Sequence, residues 1–312
     1  MPLTPEQLEL RRTGITSTDI SAICGLNPYK SPMEVYLDKV GKSIEREDTE
    51  AMWWGREMEP VIARRYVQGA GRCVWLAGAT MGAPPVLATP DAFVHRQTRG
   101  GTEVYGTVWS GLHVPPDTDY GLELKTAFSA SQVRRWGHGG DAVPEEYLVQ
   151  CAWCMAVTDL DRWDIAVLLA GYNGAEFRTY TLARDRVLER ALIERAEAFW
   201  RDHVEARKPP PPDGSASALR ALKNLYPQDE TPIAPATDTV VGLADELRLA
   251  EAEYAEAAAE RERIRQELMA EVKTAEGTEG RIGDIAFKVT WKTDKRGRRV
   301  FRPWFSKEAT DE

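Results

Sequence analysis

Residues Gly121-Leu122-Glu123-Leu124-Lys125-Thr126 place an acidic and a basic side chain two positions apart within an apolar run. In a β-strand successive side chains alternate between faces, so Glu123 and Lys125 share one face while Leu122 and Leu124 point into a core. A carboxylate beside an ammonium on a rigid strand suits metal-assisted phosphodiester hydrolysis, in which the acid holds Mg²⁺ and the lysine orients the attacking water. The same tripeptide is also common as a solvated charge pair, so its interpretation depends on the surrounding residues.

The bulk composition of the 312-residue chain is that of an ordinary water-soluble globular protein, with 43% hydrophobic and 29% charged residues. No apolar stretch has the length of a membrane helix, and the N-terminus has no basic-then-apolar signal pattern, so we expect a cytoplasmic protein with no membrane partner. The net charge of −9 does not exclude a nucleic-acid partner, because affinity depends on local basic patches such as the run from Lys292 to Arg302.

The four cysteines are too few and too scattered for a disulfide framework. Cys151 and Cys154 have the spacing of a metal or redox pair, but they lie in a helical pattern without a partner cluster. We therefore expect both to be buried thiols.

Hydrophobic periodicity and turn residues predict the order of elements along the chain. Helices are predicted at Thr18–Leu26, where Thr18 and Asp19 would form the cap, at Pro32–Val40, and at about 50–67, 144–157 and 185–206. Strands are predicted at about 72–80, 85–95, 104–114, 120–127, 163–169 and 175–182.

The proline tract Pro209-Pro210-Pro211-Pro212 is the clearest boundary in the chain and predicts a main domain over 1–208 and a linker with a short helix over 209–239. The remaining segment, 240–312, begins with a weak heptad seam, which fits an intramolecular arm as well as an intermolecular coiled coil. The seam residues are Leu243, Leu247, Ala250, Tyr254, Ala257, Arg261, Ile264 and Leu268. A basic β-hairpin over 281–305 is expected to follow, with its turn at 295–298 and either a DNA-gripping or a merely stabilising role.

An aspartate in an otherwise apolar strand is costly to bury unless it is paired or binds a metal, which makes Asp91 a candidate. If its strand neighbours 120–127, Asp91 and Glu123 can share one Mg²⁺, with the Leu124 carbonyl as a further ligand. Asp91 could also be a simple turn residue after proline. Asp117 is nearer to Glu123 in sequence, but its Pro-Pro-Asp-Thr-Asp context indicates a turn.

Further polar residues could complete such a site, although each has an ordinary structural alternative. Glu59 could supply a third carboxylate or be a surface glutamate, and Gln150, three residues after Tyr147, could contact a phosphate oxygen or be a core-edge amide. Arg11 and Thr18 flank Gly14-Ile15-Thr16-Ser17 at a helix N-terminus and together form a possible phosphate pocket.

The ordered motifs Arg11…Gly14-Ile15-Thr16-Ser17-Thr18-Asp19, Trp54-Gly55…Glu59-Pro60, Thr89-Pro90-Asp91, Glu123-Leu124-Lys125 and Tyr147…Gln150 resemble the YqaJ viral recombinase family. That family includes the exonuclease of phage lambda and belongs to the PD-(D/E)xK nucleases. The resemblance covers about residues 8–205. It implies a Mg²⁺-dependent exonuclease, with Mn²⁺ as a substitute, that digests duplex DNA from 5′ ends and supplies 3′ single strands to an annealing protein. It also implies a trimer that works in the host cytoplasm if the protein is phage-encoded.

By this resemblance Asp91, Glu123 and the Leu124 carbonyl are metal ligands, and Lys125, Gln150 and Glu59 act in catalysis. The resemblance places three residues at the 5′-phosphate: Arg11, Thr18 and Thr89. Thr18 stands where the family usually has serine, and the 32-residue gap from Asp91 to Glu123 is longer than expected. The excess indicates an inserted hairpin at about 97–118.

The predicted fold is α/β, a PD-(D/E)xK nuclease core over 1–208 in which a mixed central sheet is flanked by helices, followed by a C-terminal helical arm and β-hairpin. The predicted activity is that of a DNA exonuclease. A structure-selective or site-selective endonuclease using the same residues is the enzymatic alternative. A DNA-binding recombination scaffold without catalysis is the other.

Overall fold

The computed structural model describes residues 5–43, 48–77, 79–96, 104–109 (main chain only), 113–137, 143–171, 174–229, 233 and 235–306. The chain divides into two compact units, Met1–Gln228 and Asp229–Glu312. None of the helices within the described ranges combines the length and apolarity that a membrane crossing requires.

The first unit alternates helices and strands as the sequence predicts. Its helices are α1 Pro5–Arg12, α2 Ser17–Ile23, α3 Pro32–Lys39, α4 Glu50–Ala70, α5 Ala130–Val133, α6 Glu145–Thr158, α7 Arg186–Phe199 with a π-helical extension Trp200–Glu205, and α8 Ala216–Leu225. Its strands are β1 Val74–Ala77, β2 Met81–Ala83, β3 Val86–Ala88, β4 Ala92–His95, β5 Val104–Trp109, β6 Thr118–Ala127, β7 Arg162–Gly171 and β8 Gly174–Ala183.

Local capping chemistry explains where the two helices before the sheet begin and end. The Ser31 side chain accepts a hydrogen bond from the Glu34 amide, and Pro32 occupies the first turn of α3, where the missing N–H of proline costs nothing. Thr49 caps α4 in the same way, and Gly71 ends it in the left-handed conformation that favours glycine. The predicted helices over 32–40 and 50–67 are thus confirmed, the second with a longer C-terminal end.

Six strands form a mixed sheet in the order β5-β1-β4-β6-β7-β8. β6 pairs antiparallel with β4 and parallel with β7, so β6 lies inside the sheet. α4 covers one face through Ile62 and Tyr66, which pack in one cluster with Leu122 and Leu124 of β6. α2, α6 and α7 pack in a second core with Trp163 and Ile165 of β7. The predicted mixed sheet flanked by helices is therefore confirmed.

A close approach between β6 and β7 requires glycine at the start of the motif. A Cβ at Gly121 would lie 2.2 Å from the ring of Trp163, far inside van der Waals contact. The fully buried Trp163 indole therefore fills the space above Gly121, and this packing fixes β6 against its parallel neighbour.

The strand predicted over 85–95 is wrong in its continuity. β3 ends at Ala88 and pairs with β2 in a separate two-stranded ladder, whereas β4 begins at Ala92. Pro90 lies in the break. Proline lacks the N–H that a sheet ladder needs, so it interrupts the strand here. Asp91 consequently sits at the entrance to β4 rather than within a strand, and its main-chain oxygen accepts from the Ala77 amide at 2.9 Å.

The predicted insertion at 97–118 contributes a strand to the main sheet. β5 pairs in parallel with β1, with Val74 opposite Val104, so the described part of this segment extends the sheet edge rather than forming a separate hairpin. Residues 97–103 and 110–112 of the predicted hairpin lie outside the described residues.

The sequence predicts a linker with a short helix over 209–239. The short helix is present as α8, but it packs against α3 as part of the first unit. Ser217 of α8 donates to Glu34 of α3 at 2.5 Å and accepts from the Ser31 amide at 2.9 Å. Ser217 and Glu34 are both buried. The first compact unit accordingly extends to Gln228, because these buried polar groups satisfy one another only when α8 is in place.

The second unit consists of a long helix, α9 Asp238–Val272, and three strands, β9 Gly277–Ile282, β10 Ile285–Thr293 and β11 Arg299–Phe305. The strands form an antiparallel sheet in the order β11-β10-β9. The prediction of a two-stranded hairpin over 281–305 is therefore incomplete, since β9 adds a third strand.

The predicted turn of that hairpin is present, and Asp294 organises it. One carboxylate oxygen of Asp294 accepts from the amides of Arg296 and Arg298, and Gly297 has a φ of 75°. An aspartate side chain that accepts hydrogen bonds from the backbone amides following it stabilises a turn. These contacts of Asp294 therefore explain why the chain reverses here.

Candidate active site

The alternation predicted for β6 is present in the structure. Leu122 and Leu124 are buried in the core beneath α4, and Glu123 is 5% exposed. Lys125 Nζ lies 2.5 Å from Glu123 Oε1 and 5.1 Å from the ring centroid of Tyr147 on α6. Glu123 and Lys125 therefore form a largely buried ion pair beneath α6, not a solvated surface pair.

Asp91 reaches the same strand through strand pairing. β4 and β6 pair with Ala92 opposite Leu122, and β6 continues beyond the point where β4 begins. The Leu124 amide, which β4 no longer engages, donates to Asp91 Oδ2 at 2.9 Å. Because the Asp91 carboxylate satisfies a strand amide that has no partner on β4, Asp91 is held beside Glu123 despite their separation in sequence.

The nearer aspartate in the sequence lies elsewhere. Asp117 is exposed, has a φ of 61° and occupies a turn before β6. The structure thus brings Asp91, and not Asp117, to the part of β6 that carries Glu123 and Lys125.

Burial and neighbouring negative charges raise the pKa of two carboxyl groups at this site. Burial, followed by the charge of Asp91, raises the pKa of Glu123 to about 7. Burial and then the charge of Asp91 also raise the pKa of Glu59 on α4. Burial alone would lower the pKa of Lys125, but Glu123 and Asp91 outweigh it and raise that pKa. The three carboxylates thus act on one another electrostatically, and the positive charge of Lys125 offsets their effect on Glu59 and Glu123 only in part.

The oxygen donors of this site fit a divalent cation of the magnesium type. Within the described residues no three His, Cys, Asp or Glu side chains are grouped as a ligand set. Mg²⁺ needs no such set, because it is usually held by one or two carboxylates and keeps several waters. The N–H and C=O of one strand residue point to the same edge, so the Leu124 carbonyl faces the edge that Asp91 occupies.

α6 covers the Lys125 side of β6. Tyr147 contacts Lys125, and Gln150, 5% exposed, lies three residues later on the same helix. Cys151 and Cys154 are buried as predicted, and burial followed by the charge of Glu123 raises the pKa of each thiol. The predicted placement of Tyr147 and Gln150 on one buried helical face is consistent with this packing.

A second polar cluster surrounds Arg11. Its guanidinium donates to Thr89 Oγ1 at 3.0 Å and to Thr16 Oγ1 at 3.3 Å, and Thr89 in turn is 3.0 Å from the Thr80 hydroxyl. Thr89 lies two residues before Asp91 in the chain. Arg11 is therefore connected to the segment that delivers Asp91.

The prediction that Thr18 caps α2 is wrong. The N-cap is Thr16, and Asp19 occupies the third helical position of a capping box in which its carboxylate accepts from the Thr16 amide at 3.0 Å. Thr18 lies inside the first turn and is partly exposed. The Thr-x-x-Asp spacing at 16–19 is a capping-box pattern that could have identified Thr16 from the sequence.

A buried charge cluster positions Arg11, and the sequence did not reveal it. Lys30 and Lys39 lie 2.9 Å and 2.6 Å from the carboxylate oxygens of Asp19, and Lys39 also donates to the Arg11 carbonyl at 2.8 Å. Although burial opposes ionisation, Lys30, Lys39 and Arg11 hold the pKa of Asp19 well below its usual range. These contacts fix the end of α1, and with it Arg11, against α2 and α3.

The raised pKa of Glu123 predicts a pH dependence of stability in metal-free solution. The folded protein holds a proton that the unfolded chain has already lost, so the contribution of Glu123 is complete below about pH 4.5 and is lost as the pH rises through about 7. Urea unfolding in EDTA between pH 5 and pH 8 should show a smaller decline of stability for Glu123→Gln than for wild type. Glu57→Gln, an exposed change on α4, should keep the wild-type slope, and identical slopes for all three proteins would contradict the burial argument.

Comparison with known proteins identifies the family of this chain. The profile of the YqaJ-like viral recombinase domain matches residues 6–161. The uncharacterized protein YqaJ of Bacillus subtilis (strain 168) is 29% identical over 231 residues, covering 72% of this chain and 64% of that protein. An uncharacterized protein of Acanthamoeba polyphaga mimivirus is 25% identical over 163 residues, covering 51% of this chain and 27% of that protein. The chain thus spans less than two thirds of the length of either relative.

Two solved structures are similar at a lower level. They are an alkaline exonuclease (LHK-Exo) from Laribacter hongkongensis, with a TM-score of 0.47 and 20% identity over 65% of this chain and 94% of that one, and a phage related exonuclease from Haemophilus somnus 129PT, with a TM-score of 0.45 and 12% identity over 64% of this chain and 97% of that one.

The family assignment rests on the sequence match. The matched segment spans half of the chain and contains every residue from Arg11 to Gln150 that the motifs single out. This chain therefore belongs to the YqaJ-like viral recombinase family.

Proposed function

We propose that this chain is a metal-dependent deoxyribonuclease that hydrolyses duplex DNA from 5′ ends and leaves 3′ single strands. One observation carries the proposal. The Asp91 carboxylate binds the Leu124 amide directly beside the buried Glu123–Lys125 pair. Two carboxylates, a strand carbonyl and an ammonium at one place are the groups that phosphodiester hydrolysis needs.

Asp91, Glu123 and the Leu124 carbonyl would hold Mg²⁺, or Mn²⁺ as a substitute. When bound there, the metal would polarise a phosphoryl oxygen and lower the pKa of a bound water. Burial and then repulsion by Asp91 raise the pKa of Glu123. A divalent cation would relieve that repulsion, which supports this assignment.

Lys125 acts in this proposal as a positioned cation. Its ion pair with Glu123 holds it as an ammonium that can donate hydrogen bonds to the attacking water and to a phosphate oxygen. Tyr147 packs beside it and restricts its position. Gln150, on the same helix, would orient the water or a phosphate oxygen, and Glu59 would act as an auxiliary acid.

The cluster around Arg11 would bind the terminal 5′-phosphate. Arg11 already donates to the hydroxyls of Thr89 and Thr16, and a phosphate could accept from the same guanidinium with a stronger charge-assisted bond. Thr18 would contribute its hydroxyl from the first turn of α2. This pocket is what favours an exonuclease over an endonuclease with the same catalytic residues.

The biological setting follows from the family resemblance and is part of the proposal. The enzyme would act in the host cytoplasm as a homotrimer and would pass its single-stranded product to an annealing protein. Phage-encoded recombination is the process that such an activity would serve.

The proposed polarity can be tested with three DNA substrates. End-labelled linear duplexes with and without a 5′-phosphate, together with covalently closed circles, would be incubated with the protein and Mg²⁺ or with EDTA. We expect linear duplex to lose nucleotides from its 5′ ends only when Mg²⁺ is present, and closed circles to survive. Rapid nicking of the circles would support the endonuclease alternative, and no cleavage of any substrate would support a DNA-binding scaffold.

A further inference from the structure

The second unit separates its charges between the helix and the sheet. α9 carries ten acidic and four basic residues over 238–272, whereas the sheet segment 277–306 carries eight basic and three acidic residues. An anionic ligand is therefore repelled by the helix and attracted to the sheet.

The two faces of this sheet have different partners. Val289 of β10 and Phe301 of β11 are buried and pack with Val272 at the end of α9. Side chains alternate along a strand, so the neighbours of these residues in sequence point to the opposite face. That outer face carries Lys288 opposite Trp304, and Thr290 opposite Arg302.

Trp304 is an unusual residue for an outward strand position. It exposes 57% of its surface on a regular strand, with Lys288 opposite it and Arg302 two residues earlier on the same face. Burying an indole is strongly favourable, so a tryptophan left open among cations is well suited to contact a flat, anionic ligand.

The cations near Trp304 are available for such a ligand. Among the described residues Arg302 forms no ion pair, and Lys288 is paired only with the exposed Glu279, at 2.9 Å. Exposed pairs of this kind contribute little and exchange readily. The outer face thus combines a planar aromatic surface with mobile positive charges.

We propose that the outer face of the β9–β11 sheet binds single-stranded DNA, with an unpaired base stacked on Trp304 and the flanking phosphates on Arg302 and Lys288. Stacking on an exposed indole requires a base that is not already stacked in a duplex, whereas basic residues alone would not distinguish the two forms. The assignment of DNA as the ligand rests on the proposed nuclease function, which makes single strands as its product.

The test measures binding without cleavage. Fluorescence anisotropy in EDTA would follow the full-length protein on a labelled single-stranded oligonucleotide and on a duplex of the same length. We expect Trp304→Leu to weaken single-strand binding about tenfold and to leave duplex binding unchanged, while Trp304→Phe retains most of the affinity. Tyr254→Leu is the matched control, because this exposed aromatic residue lies on the acidic helix of the same unit.

The phosphate contact is tested through salt dependence. Arg302→Gln should reduce the slope of log affinity against log salt by about one for single strands. An unchanged slope would remove Arg302 from the proposed site.

The outcomes separate this inference from the nuclease proposal. Equal single-strand affinities for wild type and Trp304→Leu would overturn the inference whether or not linear duplex is digested. An equal loss on single-stranded and duplex DNA would also overturn it, because the face would then be a general phosphate-binding surface. A Trp304-dependent preference for single strands in a protein that cleaves nothing would retain the inference while refuting the nuclease function.

Discussion

Glu123→Gln is expected to lower the rate of Mg²⁺-dependent DNA cleavage by at least about 10²–10³-fold while the protein remains folded. The amide keeps the size of the side chain but removes the negative charge that would hold the metal and that pairs with Lys125. Asp91→Asn and Lys125→Ala should have effects of the same size, since each removes a separate part of the same unit. The measurement is the initial rate of release of acid-soluble nucleotides from linear duplex, with circular dichroism as the check on folding.

Two further measurements make this prediction specific. Asp117→Asn is the matched control, because Asp117 is an exposed aspartate in the turn before β6, and it should leave the cleavage rate at the wild-type level. Calorimetric titration with Mg²⁺ should show weaker binding for Asp91→Asn and Glu123→Gln. Normal cleavage by a folded Glu123→Gln protein would refute the proposed active site. If Asp117→Asn were inactive and Asp91→Asn active, Asp117 and not Asp91 would be the metal ligand.

Arg11→Ala is expected to reduce the preference for 5′-phosphorylated ends by about tenfold or more, because a hydrogen bond to a charged group is worth about 1.5–3 kcal/mol. The loss should appear as slower initiation on phosphorylated linear duplex, with little change on ends that lack the phosphate. Arg11→Lys should recover only part of the preference, since an ammonium cannot reproduce the two-pronged contact that the guanidinium makes with Thr89 and Thr16.

The neighbouring arginine provides the control for this experiment. Arg12 pairs with Glu9 on the surface of α1, so Arg12→Ala should leave the phosphate preference intact. The preference is the ratio of initiation rates on phosphorylated and dephosphorylated duplexes of one sequence. A ratio unaffected by Arg11→Ala would remove Arg11 from the end-binding pocket and, with it, the main reason for favouring an exonuclease.

Local patterns in the sequence determined much of the fold. The alternation of Leu122, Glu123, Leu124 and Lys125 predicts a strand whose leucines face a core, and their packing beneath α4 confirms it. Ser31-Pro32 predicted the start of α3. These signals are reliable because alternation, capping and proline geometry act between residues a few positions apart.

Motif order also indicates the family without any knowledge of the geometry. Residue type and spacing single out Asp91, Glu123 and Lys125, and the family match over residues 6–161 contains all three. The wrong prediction of a helix cap arose because two similar residues lie close together in the sequence. Thr16 caps α2 in place of Thr18. Both threonines precede the apolar residues of the helix in sequence, and only the capping-box partner Asp19 distinguishes them.

Tertiary structure alone decided how distant segments meet. The contact of Asp91 with the Leu124 amide depends on the pairing of β4 with β6. Lys39 of α3 joins Asp19 of α2 to the Arg11 carbonyl of α1. The packing of α8 on α3, in which Ser217 donates to Glu34, also joins segments that are far apart in the sequence. Such contacts are set by which surfaces the whole chain can bury while satisfying its polar groups, and no window of a few residues contains that information.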